Sequence, residues 1–228
     1  DHLGGQEQGI AELDVRLAGA REGEPNKVRI ALASDGDVER ASGRLTLEGV
    51  DPMSIAQMFG YNGDAFTSSR PANATFAVSA TERSGLLNTQ LSLSGVAGSV
   101  KLGSDTIAIR DLSFAAVYDP ATKFVSLESL IVDSDSLAGS FTGALDARNI
   151  MAGDTSAPSA FALSSEAFTL AVPSVFEAPL PLHSLDVDGE IAPDRRHLKL
   201  TNVKAGTGEM SATGAGELWL EGEGETLG

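Results

Sequence analysis

The residue types that usually carry nucleophilic or metal chemistry are sparse in this sequence and poorly spaced for it. There are three histidines, His2, His183 and His197, and no cysteine. A serine or threonine nucleophile needs a base within reach and a sharp turn to present it, and no histidine accompanies a Gly-x-Ser-x-Gly turn. His183 follows Pro179-Leu180-Pro181-Leu182, and His197 opens an alternating segment after Arg195 and Arg196, so both read as surface turn residues. Their separation lacks the close spacing of a histidine zinc site.

Carboxylates gather in Ser34-Asp35-Gly36-Asp37 and in Asp133-Ser134-Asp135. Calcium takes six or more oxygen ligands, which neither cluster supplies, whereas Asp, Ser and Gly are the residues that hairpin turns require. Spacing selects no pair of carboxylates for glycoside hydrolysis, and one Trp with two Tyr is little aromatic surface for stacking sugar rings. The pairs Gly206-Thr207-Gly208 and Gly214-Ala215-Gly216 have neither the following helix nor the lysine of a phosphate loop. Asn73-Ala74-Thr75 matches a glycosylation triplet that matters only in a eukaryotic secreted protein. The expectation is a protein that is not an enzyme and uses neither cofactor nor metal.

The net charge is -16, from 32 acidic and 16 basic residues. Such a surface repels phosphate backbones and anionic headgroups, which argues against nucleic acid as a partner, and it keeps open strand edges in solution. Without cysteine there are no disulfides, and the redox compartment is left open. The longest apolar runs, Phe114 to Tyr118 and Phe168 to Val172, are far below the roughly 20 residues of a membrane-spanning helix. Asp1 to Gly5 shows no basic segment followed by an apolar one, and residues 221–228 read as a linker-like tail. The chain is expected to be an excised or processed piece of something longer.

What elements would position any site? Apolar and polar residues alternate from end to end, which is the period of a strand with one wet face. Leu13, Val15 and Leu17, then Val28, Ile30 and Leu32, then Leu45 and Leu47 mark the first three. The period changes once, between Asp51 and Phe59, where an Asp cap, Pro52 and apolar residues at 55, 58 and 59 predict a two-turn helix. Strands resume at Phe76 and Val78, then at Leu87, Leu91 and Leu93. Further strands are expected at Phe161 to Leu163, Phe168 to Val172 and Leu185 to Ile191, with a flexible segment at Asn149 to Ser159 and a proline-rich one at Pro173 to His183.

A finer rhythm runs through this alternation. Ile107, Ile109, Leu112 and Phe114 are spaced by two, three and two residues, as are Val125, Leu127, Leu130 and Val132, and again Leu198, Leu200, Val203 and Ala205. A three-residue step is expected to flip the apolar face once, at a bulge or bend. Asp119-Pro120-Ala121-Thr122 has the chemistry of the hairpin turn between the first two copies. The second and third copies continue in register, Leu137, Gly139, Phe141, Gly143 and Leu145 matching Met210, Ala212, Gly214, Gly216 and Leu218 at an offset of 73. This predicts an internal repeat, at about 123–147 and 196–220, within a single segment 1–228. Because glycines fall in phase with the apolar positions, that face loses side-chain volume and is either filled by a facing sheet or left open as a trough.

Val125-Ser126-Leu127-Glu128-Ser129-Leu130-Ile131-Val132, with Leu137-Ala138-Gly139-Ser140-Phe141-Thr142-Gly143 after it, resembles the strand repeats of the AsmA-like superfamily. So does the block from Leu198 through Met210 to Leu218. The likeness is nearest the YhdP-type and TamB-type envelope proteins of Gram-negative bacteria, and it extends from about Val28 to Leu220. It implies an all-β fold, an elongated, twisted, mostly antiparallel sheet curled into a groove, in a periplasmic protein anchored elsewhere in the inner membrane. It implies transport of phospholipid between inner and outer membranes, with phospholipid or another acyl-chain lipid as the partner. The lipid-facing residues would be Leu127, Leu130, Val132, Leu137, Phe141, Leu145, Leu198, Leu200, Val203, Met210 and Leu218. Two rivals stand beside it: a β-sandwich or solenoid stalk with a closed core, and a hydrolase or saccharide-binding β domain.

Overall fold

The computed structural model describes residues 9–16, 27–34, 40–58, 66–81, 85–102, 105–171, 177–194 and 197–219. In chain order the elements are β1 (Gly9–Arg16), β2 (Lys27–Ser34), β3 (Arg40–Val50), α1 (Pro52–Met58), β4 (Phe66–Ser68), β5 (Ala72–Thr81), β6 (Gly85–Leu102), β7 (Asp105–Asp119), β8 (Phe124–Ser134), β9 (Leu137–Asp146), α2 (Arg148–Ala152), β10 (Ser159–Ser165), β11 (Phe168–Leu170), β12 (Leu180–Leu182), β13 (Ser184–Ile191), β14 (His197–Gly206) and β15 (Ser211–Trp219). The protein is all-β, as expected. The fifteen strands of the described residues form one antiparallel sheet that is not closed into a barrel. Its main path is β1-β2-β3-β5-β6-β7-β8-β9-β10-β13-β14-β15, with β4 beside β6 and the β11–β12 pair beside β9.

Local chemistry sets the joints. Asp51 caps α1 by accepting the Met53 N–H at 3.1 Å, and Pro52 occupies the first turn, where a missing N–H costs nothing. Phe59, expected at the end of this helix, lies outside the described residues. At the β7–β8 turn the Asp119 carboxylate accepts the Ala121 N–H at 2.8 Å and the Thr122 hydroxyl at 2.9 Å. These bonds favour its charged form, the Ala121 N–H most of all, and lower its pKa.

The three-residue steps do not flip the apolar face. Leu127 stands opposite Gly143 and Leu130 opposite Phe141, so three residues of β8 are matched by two of β9. A bulge takes up the extra residue and returns Leu130 to the side of the sheet that Leu127 occupies. β14 does the same: Leu200 faces Gly216 and Val203 faces Gly214, each 73 residues on. The turns agree as well. Ser134 Oγ accepts the N–H groups of Ser136 (3.3 Å) and Leu137 (2.9 Å), and Thr207 Oγ1, again 73 residues on, accepts those of Glu209 (3.3 Å) and Met210 (3.1 Å). The β8–β9 and β14–β15 hairpins therefore share register, bulge and turn.

Three elements were not foreseen. The stretch Tyr61 to Asn73, rich in Gly, Asp, Ser and Pro, reads as a loop, but Phe66–Ser68 forms β4 against β6. Where a flexible segment was expected, α2 forms a single short helix ended by Gly153 at φ 67°, and Asn149 Nδ2 donates to the Pro158 carbonyl at 2.7 Å. In the proline-rich stretch β12 pairs, among the described residues, with β11 alone, so the missing N–H of Pro181 interrupts no inner ladder there.

Gly139 and Gly143 do not leave voids. A Cβ on Gly143 would stand 2.4 Å from the Ala162 carbonyl oxygen, and one on Gly139 would stand 2.6 Å from Phe168 Cβ. Here glycine permits close strand approach. Gly214 and Gly216 have nothing within 4 Å of the same position, so the expected lost volume is present only there. Gly143→Val should destabilise the protein by about 2 kcal/mol or more in urea unfolding, while Gly214→Val should be near neutral.

The end of β9 is electrostatic. Asp146 accepts the Arg148 N–H at 3.1 Å and Arg148 Nε at 2.9 Å. The guanidinium is the main cause that lowers the carboxyl from 3.8 to about 2. A depressed carboxyl stabilises the fold above its unfolded pKa and loses that contribution as pH falls through the folded one. In Arg148→Ala the Asp146 titration followed by NMR should move up toward the ordinary carboxylate range, and the acid side of the stability profile should flatten between pH 3.8 and about 2.

Candidate functional site

The two described histidines lie on different parts of the fold. His183 is exposed on the short link between β12 and β13, its N–H bonded to the Gly206 carbonyl. His197 Nε2 lies 3.4 Å from the Glu217 carboxylate. The Asp133 and Asp135 carboxylates are held by Arg110, through Nε at 2.9 Å and Nη1 at 2.5 Å, and the hydrogen bond from Arg110 is the leading cause of a lowered Asp133 pKa. Asp35 and Asp37 lie outside the described residues. The Thr207 hydroxyl between Gly206 and Gly208 serves its own turn, and Asn73 Oδ1 accepts the Gly49 N–H where that glycine adopts φ 70°.

What the fold builds instead is a surface. Register connects Leu13, Ile30, Leu45, Phe76, Leu91 and Ala116 in one row across β1, β2, β3, β5, β6 and β7. The row continues through Leu127, Gly143, Leu163, Val187, Val203 and Gly214 on the next six strands. All twelve positions are apolar or glycine. The adjacent row on the other side of the sheet reads Glu12, Ala31, Arg44, Ala77, Gln90 and Val117, then Ser126, Ala144, Ala162, Asp188 and Asn202. The first row is apolar throughout, whereas the second mixes alanine and valine with the polar and charged residues, so the two faces differ in polarity along the path.

One rim of the apolar face is walled. At one end Ile55 of α1 packs with Ala72, Ala74, Leu93 and Val96, joined by Phe66 of β4. At the other, Phe168 of β11 and Leu182 of β12 pack on Phe141, the two rings 6.0 Å apart and inclined at 52°. Both clusters lie at the same strand ends, because Val96, Leu112, Val132 and Gly139 face one another in turn, and Gly139 faces Phe168. The opposite rim carries no such cluster among the described residues. Most side chains of the middle row are partly buried although no second layer of described residues lies over them; Phe76 is exposed at 37 %, as are Leu13, Leu32 and Leu218 near the sheet ends.

The structure gathers the expected lipid-facing residues from both halves of the sequence. Leu127, Leu130, Val132, Leu137, Phe141 and Leu145 on β8 and β9 share the apolar face with Leu198, Leu200, Val203 and Leu218 on β14 and β15, linked through β10 and β13. They are not equivalent. Phe141 is 2 % exposed and belongs to the rim cluster, whereas Leu218 is 52 % exposed. Met210 departs from expectation: it sits in the turn before β15 and is 70 % exposed. Its counterpart Leu137 is paired with Leu170 of β11, and among the described residues no such strand flanks Met210. Phe161, Leu163 and Val187 complete the face between the two hairpins; their alternation marked strands, but without pairing the face they join was not assignable.

Shallow depressions of about 460 Å³ and 490 Å³ occur on the polar face, one lined by Ser42, Arg44, Ser79, Asn88 and Gln90 and one by Glu128, Thr142, Ser164, Asp186 and Asp188. Comparison with protein-family models, with curated proteins and with solved structures found no match.

Burial separates the wall from the open face energetically. Phe141→Ala should cost about 3–4 kcal/mol in chemical unfolding, and Leu218→Ala should cost less than about 1 kcal/mol.

Proposed function

We propose that the protein is a non-enzymatic lipid-binding segment that receives hydrocarbon chains on its apolar sheet face. The observation that carries this reading is the twelve-strand apolar row with a wall along one rim and no second layer over it among the described residues. Contact with an apolar wall requires no directed chemistry. A fully buried methylene gains about 0.8 kcal/mol, so a chain that loses roughly half its water contact on an open face gains about 0.4 kcal/mol per methylene. Many methylenes are then needed to offset the cost of ordering the guest, which favours long acyl chains over short acids.

Phospholipid is the guest that the AsmA-like resemblance supplies, together with a periplasmic setting and passage between inner and outer membranes. The polar face fits a protein that works between membranes without lying on them, since a net charge of -16 opposes adsorption to anionic headgroups. From β1 to β15 the path spans eleven inter-strand spacings, about 53 Å at roughly 4.8 Å each, enough for one section of a conduit. The closed-core stalk needs a second sheet on the apolar face, and the described strands form one.

Native purification followed by solvent extraction and mass spectrometry should recover phospholipid, and the delipidated protein should take up a fluorescent long-chain fatty acid. Leu200→Asp and the more exposed Leu218→Asp should keep the β-sheet circular dichroism and lose most of the uptake, because a charge on the face excludes hydrocarbon. A lipid-free protein that ignores the fatty acid, or an undiminished signal in both variants, would sink the proposal.

A further inference from the structure

The apolar face is one unassigned surface; the outer edge of β15 is another, and the two hairpins indicate what belongs there. Among the described residues β15 pairs with β14 alone, and every side chain from Ser211 to Leu218 is exposed. The edge carries none of the usual guards against strand addition: no Pro, no Lys and a single charge, Glu217. The equivalent edge of β9 is occupied. There β10 pairs with Thr142 to Leu145, and close approach is possible because Gly143 leaves room for the Ala162 carbonyl. The residue 73 positions on from Gly143 is Gly216, with the same hairpin register and open space beside it.

We propose that the β15 edge is a strand-addition site for an antiparallel segment of the β10 type, in which apolar side chains alternate with small or polar ones. Backbone N–H and C=O groups supply the attraction, as in other β-augmentation sites, and the apolar face sets which side of the guest strand is greasy. Transfer of the β9–β10 register by 73 residues fixes the pairing: guest positions equivalent to Phe161, Ala162 and Leu163 stand opposite Leu218, Glu217 and Gly216.

The test uses the whole chain and a fluorescein-labelled peptide of its own residues 157–167. Saturable binding by anisotropy is expected, weakened at least about tenfold by Gly216→Val, whose added carbons occupy the place of the guest carbonyl. That substitution meets open space in the protein itself, so thermal unfolding should be unchanged. An Ala162→Cys peptide should form a disulfide with the Glu217→Cys protein and not with Thr213→Cys. Absence of saturable binding, or binding indifferent to Gly216→Val, overturns the site. Dimerisation through β15 that is lost in Gly216→Val and excludes the peptide overturns it in favour of a second copy.

Discussion

Phase is the constraint on which everything else rests. Side chains alternate with a period of two, so twelve strands share one apolar face only if every extra residue is absorbed before it turns a strand over. The sheet does this with bulges. β8 and β14 each carry three residues against two, and β3 and β6 set glycines at positive φ, Gly49 at 70° and Gly95 at 75°, where the ladder shifts. Long side chains then brace the irregular points: Arg70 donates to the Gly95 carbonyl at 2.8 Å and to Asp111 at 2.7 Å, joining the segment after β4 to β6 and β7. Exposed ion pairs of this kind contribute little energy.

A single layer cannot be stabilised as a sandwich is. Among the described residues no large side chain is fully buried, and the buried residues that pack together form two rim clusters around Ile55 and Phe141. Lateral hydrogen bonding satisfies the backbone, and most of the buried apolar residues among those described gather in the rim clusters. The middle of the face contributes less to stability than its composition suggests. That leaves its residues freer to answer to a ligand than to the fold.

The sequence made visible whatever depends on one strand at a time. Alternation located the strands, Asp51 and Pro52 the helix, and Asp119 to Thr122 the hairpin. What depended on a partner was hidden. A three-residue step looks alike whether it turns the face or is taken up by a bulge, because the difference lies in how many residues stand opposite. The glycines show the same limit: Gly143 and Gly216 occupy equivalent places in their hairpins, yet one meets the Ala162 carbonyl and the other meets nothing. Met210 was grouped with Leu137 for the same reason, and only the neighbouring strand distinguishes them. Of the expected lipid-facing residues, ten share a face that no local signal assembled.

Geometry also ranks the directions in which an extended guest could lie. Along a strand the apolar positions recur every two residues, roughly 6.7 Å apart, and the walled rim ends the track after a few of them. Across the strands the row from Leu13 to Gly214 offers an apolar position or a glycine about every 4.8 Å over twelve strands. A hydrocarbon set across the strands meets closer contacts, keeps one flank against the rim clusters and encounters no fixed stop among the described residues. On the lipid reading the guest therefore travels perpendicular to the strands. The bulges that keep the strands in phase are then also what keeps that track unbroken.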